Sequence, residues 1–96
     1  MIGNFESFKK VGQGLFYTSD IYFSDEQEFH IVYDCGSQSK YIQNLEIEIY
    51  NYNQNEINLL VISHFHYDHI SGLNELLKNR KINRIVIPYL DLYDRL

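Results

Sequence analysis

The run Ser63-His64-Phe65-His66-Tyr67-Asp68-His69 constrains this chain more than any other stretch. It gathers three of the four histidines and a carboxylate directly behind an apolar run, Asn58-Leu59-Leu60-Val61-Ile62, which reads as a short buried strand. Neutral imidazoles and ionised carboxylates are the usual protein ligands of zinc and similar divalent ions. On an extended turn His64 and His66 point the same way and can share one ion, whereas Asp68 and His69 follow where the chain turns and can serve a second. Two such ions, roughly 3.5–4 Å apart, can share a hydroxide and clamp the oxygens of a hydrolytic displacement. The plain alternative is a polar loop of histidines that holds no metal. Four potential ligands at this spacing behind an apolar strand favour the metal.

Composition narrows the setting. A chain of 96 residues accommodates one small domain, and its low Pro and Gly content is that of a folded protein. Cys35 is the only cysteine, so no internal disulfide forms, and a reducing cytoplasm is the expected location. No basic-then-apolar leader and no long apolar run point to export or to a membrane. A formal net charge of −5 gives no general attraction to nucleic acid, although bound metal would offset part of it and leave room for a phosphate-bearing substrate.

Taken in order, Phe5 to Val11 and Leu15 to Phe23 read as strands joined by a tight turn at Gly12-Gln13-Gly14. No helix follows these glycines, so a phosphate-binding loop is the weaker reading. Phe29 to Tyr33 is a third strand, in which His30 belongs on a sheet face rather than on a metal. The strand ends in the turn Asp34-Cys35-Gly36-Ser37, with Cys35 as a small apolar filler. In Tyr41 to Tyr52, Leu45-Glu46-Ile47-Glu48-Ile49 alternates as a strand would, yet Tyr41, Leu45, Ile49 and Tyr52 recur at helical spacing, and a crossover helix is the expectation taken. A short helix with an apolar stripe of Leu73, Leu76 and Leu77 is expected after the histidine cluster, with Lys78 and Arg80 at its C-terminal end. Ile82 to Ile87 reads as a second buried parallel strand ended by Pro88, and Asp91 as the start of a further helix.

His64-Phe65-His66-Tyr67-Asp68-His69 is an HxHxDH pattern, and it resembles the metal-binding signature of the metallo-β-lactamase fold hydrolases. Ile70-Ser71-Gly72-Leu73 is similar to the family's small-residue turn into a helix. The element order matches about the first half of the family's αββα sandwich, an α/β (α+β) architecture. Residues 1–96 are therefore expected to form the N-terminal half of such a domain. The resemblance implies two divalent ions, zinc first and manganese as the alternative. His64 and His66 would hold one and Asp68 and His69 the other, with Asp68 also acting catalytically by aiming the nucleophile. Asp34 stands in the family's Asp-x-Gly turn, which implies support of the metal loop through hydrogen bonds rather than ligation. Val11-Gly12-Gln13-Gly14 is similar to the VGQG element of ComEC-type hydrolase domains, though Lys10 and Leu15 stand where many relatives carry acids. That element implies a phosphodiester or nucleic-acid substrate. Small proteins of this type also resemble components of bacterial antiphage defence loci.

Relatives take a third histidine and a metal-bridging aspartate from later strands, and Asp91 and Asp94 stand too early in the fold to replace them. A missing C-terminal half or a partner chain is therefore expected to complete the site. A different reading is a non-catalytic interaction subunit, a half-domain whose nine tyrosines and six phenylalanines line an interface. A third is a single structural ion without turnover. An uncovered apolar sheet face is expected in any of these cases, and with it a tendency to associate.

Overall fold

Alternating apolar and polar side chains build a three-stranded antiparallel meander in the computed structural model, which describes residues 3–12, 14–63 and 67–87. Strand β1 (Gly3–Phe8) pairs with β2 (Gly14–Tyr22), and β2 pairs with β3 (Glu28–Ser37). The second pairing slips once. Phe16 faces Cys35 and Tyr17 faces Tyr33, so Asp34 has no partner across the sheet. Asp34 is also left-handed, with φ +61°, a conformation that aspartate tolerates better than most residues. The result is a β-bulge that turns Asp34 and its neighbour Cys35 both into the interior.

Behind a 3-10 turn at Ser39–Tyr41, helix α1 (Ile42–Asn51) carries the chain across the sheet. It buries Leu45 and Ile49, the face that the helical spacing predicts. The return strand is broken into β4 (Glu56–Ile57) and β5 (Leu59–Val61). Asn58 forms the break and also seals it: its side-chain oxygen accepts from the His30 N–H at 2.7 Å, and its own N–H donates to the His30 carbonyl at 2.9 Å. Helices α2 (Tyr67–Ile70) and α3 (Leu73–Leu77) lead to β6 (Lys81–Ile82), parallel to β4, and β7 (Ile85–Val86), parallel to β5. The main sheet runs β1-β2-β3-β5-β7, antiparallel passing into parallel as the sequence predicts. Its core lies on the helix side, where Phe16, Val32, Leu45, Leu60 and Leu76 have no exposed surface. Among the described residues no helix is long and apolar enough to cross a membrane.

Two expectations need correction. Leu76 is buried, but Leu77 is 37% exposed, so the apolar stripe of α3 is narrower than its three leucines suggest. Ile82 to Ile87 is not a buried strand. It is split by Asn83 and Arg84, and Ile85, Val86 and Ile87 are 50%, 45% and 56% exposed. The reason is position. Among the described residues β7 has a neighbour on one side only, and the short α3 packs on α1 and β3 instead of covering it. Pro88 and the helix expected from Asp91 lie outside the described residues.

Arg80 ties the helix layer together. Its guanidinium donates to the Gln54, Leu76, Ile49 and Tyr52 carbonyls at 2.8–3.0 Å, closing the C-terminal ends of both α1 and α3. It also lies 5.5 Å from the centre of the Tyr52 ring. A lysine offers one ammonium in place of this fork, so Arg80→Lys is expected to lower stability by about 1–3 kcal/mol in urea denaturation.

Burial pushes the Cys35 thiol up from its usual 9.0 to about 12, partly countered by Arg80 and reinforced by Asp34. The folded chain therefore keeps this proton through a range in which the unfolded chain has lost it. Stability from this group is fully present below pH 9.0 and falls as pH rises toward 12, by up to about 1.4 kcal/mol per pH unit. Unfolding curves collected on either side of pH 9.0 are expected to show that decline. Iodoacetamide at about pH 8 is expected to label Cys35 only after denaturation.

Candidate metal centre

Asp34 is the buried end of the candidate site. With no exposed surface, its carboxylate must be satisfied from within. Oδ1 accepts from the Ser63 N–H at 2.7 Å; Oδ2 lies 2.8 Å from His69 Nδ1 and also accepts from the Ser63 hydroxyl. Asp34 continues the inward alternation of His30 and Val32, and its carboxylate there meets the segment that emerges from β5, while the bulge brings Cys35 to the same side. A carboxylate only accepts, so the Asp34 contact sets His69 as the Nδ1–H tautomer. In that tautomer Nε2 carries the ring's lone pair, on the side of Asp68.

Asp68 sits beside it. His69 Nε2 and Asp68 Oδ1 are 4.0 Å apart, with side-chain exposures of 22% and 40%. Two bonds of about 2.1 Å at a tetrahedral angle place their donors roughly 3.4 Å apart, so the two side chains would share a cation after closing by about half an ångström. The donor set fits a divalent metal: an imidazole with its second nitrogen fixed by a buried carboxylate, next to an accessible carboxylate. Asp68 and His69 supply two such donors, and among the described residues no group of three metal-binding side chains occurs. His64 and His66, the other pair expected from the sequence, lie outside the described residues.

Glycines bring this helix to the sheet. A Cβ on Gly36 would come within 2.5 Å of the His69 carbonyl carbon and the Ile70 nitrogen. A Cβ on Gly14 would lie 2.7 Å from the Asp68 carbonyl oxygen. The backbone of α2 thus rests directly on two glycines, Gly14 at the start of β2 and Gly36 near the end of β3; the turn expected at Asp34-Cys35-Gly36-Ser37 is instead a bulged continuation of that strand. Gly12, at φ +77°, lies against the Tyr41 ring. The glycine turn is therefore the hairpin next to the site that the sequence suggests, with a second task as a seat for the motif helix.

Other contacts were not legible. Ser63 as a partner of Asp34, and Ser71 as a partner of Ser37, join residues 29 and 34 positions apart. His30 lies on a sheet face as expected, but that face is the interior. It is 4% exposed and its Nδ1 is 2.7 Å from Asp20 Oδ1. The register pairs Asp20 with His30 across the β2–β3 hairpin, a relation visible once the turn is located.

A comparison with protein families agrees with the sheet order. The model of the metallo-beta-lactamase superfamily matches residues 15–95, and the chain belongs to that superfamily. Its mixed α+β sheet corresponds to part of the superfamily's αββα sandwich, and the superfamily is one of hydrolases that typically bind divalent metal ions. No curated protein and no solved structure matches the chain.

Asp34→Asn keeps the shape and the left-handed backbone but turns one acceptor into a donor facing donors. It is expected to cost about 1–3 kcal/mol in the metal-free chain. Gly36→Ala, which pushes a methyl into the α2 backbone, is expected to cost more. Urea unfolding of the two variants beside the parent provides the measurement, and a Gly36→Ala chain as stable as the parent would mean that α2 does not rest on this glycine.

Proposed function

We propose that this chain carries the metal-binding half of a phosphodiester hydrolase, acting on nucleic acid or a related substrate. The observation that supports it most is the Asp34–His69 contact, which fixes an imidazole with its Nε2 facing the Asp68 carboxylate. In this reading His64 and His66 hold one ion and Asp68 and His69 the other, zinc first and manganese as the alternative. When bound, such ions lower the pKa of a bound water to about 7 and neutralise charge on a phosphoryl group. The chain's own residues do the rest. Asp34 keeps the His69 ring in one tautomer and orientation, and Asp68 accepts a hydrogen bond from the attacking oxygen and aims it. The preference for phosphodiesters rests on the likeness of Val11-Gly12-Gln13-Gly14 to the ComEC-type element. A nuclease-like role in antiphage defence, in the cytoplasm, is the biological setting proposed.

A third histidine and a bridging aspartate come from the remainder of the fold or from a partner chain. The outer sheet face supports such a complement. Register places Phe29, Ile31 and Tyr33 beside Leu59 and Val61 on that face, and Phe29 and Tyr33 are 37% and 38% exposed. The same face favours the second reading, a non-catalytic subunit that docks through it.

Metal analysis of single variants in the completed protein separates these readings. His66→Ala is expected to lose the first ion preferentially, and Asp68→Ala the second. Asp34→Ala is expected to weaken metal affinity by about 10–100-fold without abolishing it. Asp68→Ala is expected to hydrolyse bis(p-nitrophenyl) phosphate slowly even in excess metal, since its loss removes the aiming group as well as a ligand. Four motif variants that all keep both ions and full turnover would overturn the hydrolase reading. Absence of metal together with a stable partner complex would favour the subunit.

A further inference from the structure

Strand β3 runs past its parallel neighbour. Pairing with β5 ends at Tyr33 opposite Val61, whereas β3 continues to Ser37. Beyond that point its β5-side edge exposes backbone groups to a region where Cys35, Gly36 and Ser37 are all buried. Such groups need partners. They find them in the turn between α2 and α3. Gly72 N–H donates to the Cys35 carbonyl at 2.9 Å. The Ser71 hydroxyl accepts from the Ser37 N–H and donates to the Ser37 carbonyl, both at 2.8 Å. One hydroxyl therefore stands in for a whole strand residue, which it can do because it is donor and acceptor at once. On its other side the Ser37 hydroxyl donates to the Val11 carbonyl, at the start of the glycine turn.

We infer that Ser71 is the positioning residue of the candidate metal centre: its hydroxyl locks the motif helix to the overhanging end of β3 and so aligns His69 with Asp34. The inference rests on the metal reading only for its consequence, not for its geometry. The Ser71 hydroxyl bonds to Ser37 and acts on His69 from two residues further along the same backbone. The glycines let α2 approach the sheet, while the serine bridge fixes where along β3 it stops. A helix of four residues has little cohesion of its own, so its pose is set by such ties.

The test uses the full chain and two readouts. In the metal-free, 15N-labelled protein, the His69 Nδ1–H is expected to be sheltered from exchange with water. Ser71→Ala is expected to lose that shelter, and Ser71→Thr, which keeps the hydroxyl, to retain it. In a cobalt(II) titration followed by absorbance, Ser71→Ala is expected to bind about 10-fold more weakly and Ser71→Thr within about twofold of the parent. Ser19→Ala, which removes a hydroxyl bonded to Asn4 at the far side of the sheet, serves as the control and is expected to change neither readout. Parent-like behaviour of Ser71→Ala in both measurements overturns the inference, as does a threonine variant as damaged as the alanine one. If Ser71→Ala does not fold, Ser71→Cys is measured instead, and parent-like values there also overturn it. A parent chain that binds no cobalt, but whose imidazole proton responds as stated, removes the metal reading and leaves the positioning role standing.

Discussion

The Asp34 carboxylate holds the structure's two halves in register. It belongs to the antiparallel meander, yet its partners, Ser63 and His69, belong to the segment that follows the parallel strand β5. A buried carboxylate without partners is costly enough to unfold a small domain, so the position is sustainable only if that segment closes over it. The closing segment in turn depends on the bulge. Were β3 regular, the residues after Tyr33 would alternate across the sheet, and Asp34 and Cys35 could not both face inward. One slipped register at Asp34 thus sets the buried core position of Cys35, and the Asp34 carboxylate beside it holds His69.

Around this point the chain solves a recurring problem of mixed sheets, which is what to do with the ends of elements that have no regular neighbour. The end of β3 is completed by Ser71 and Gly72, the ends of α1 and α3 by Arg80, and the gap between β4 and β5 by the Asn58 amide. In each case a side chain or a turn supplies hydrogen bonds that a longer strand or helix would have supplied itself. Buried side-chain polar atoms without a partner are absent among the described residues. The short elements therefore persist through specific polar closure on one compact apolar layer rather than through length.

The two faces of the sheet differ in a way that bears on function. The helix-side face is closed, and the site is anchored in it through Asp34. The opposite face presents Phe29 and Tyr33 to solvent, with Phe8 and Tyr17 in ring contact at 4.6 Å near its edge. In an αββα sandwich that side is where a second sheet packs, and the superfamily assignment gives this exposure a physical meaning.

Much of this was legible from local pattern. The meander, the crossover helix at Ile42–Asn51, the passage into parallel strands and the acid-and-histidine run all follow from periodicity and spacing, which act between near neighbours in the chain. Gly14 and Gly36 read as turn residues but lie in β2 and β3, and their role as the surface on which α2 rests was not visible, because close approach involves a backbone more than thirty residues away. Ile85 and Val86 show the opposite failure. Their apolar character suggested burial, and only the strand order shows them at an edge with nothing over them among the described residues. The sequence by itself determined which residues have the chemistry to bind a cation. Resemblance had pointed to Asp34 as a support of the metal loop, but the tertiary structure alone decided that it grips His69 and Ser63 and which hydroxyl holds the helix, because those bonds join residues that only the folded register brings within 3 Å.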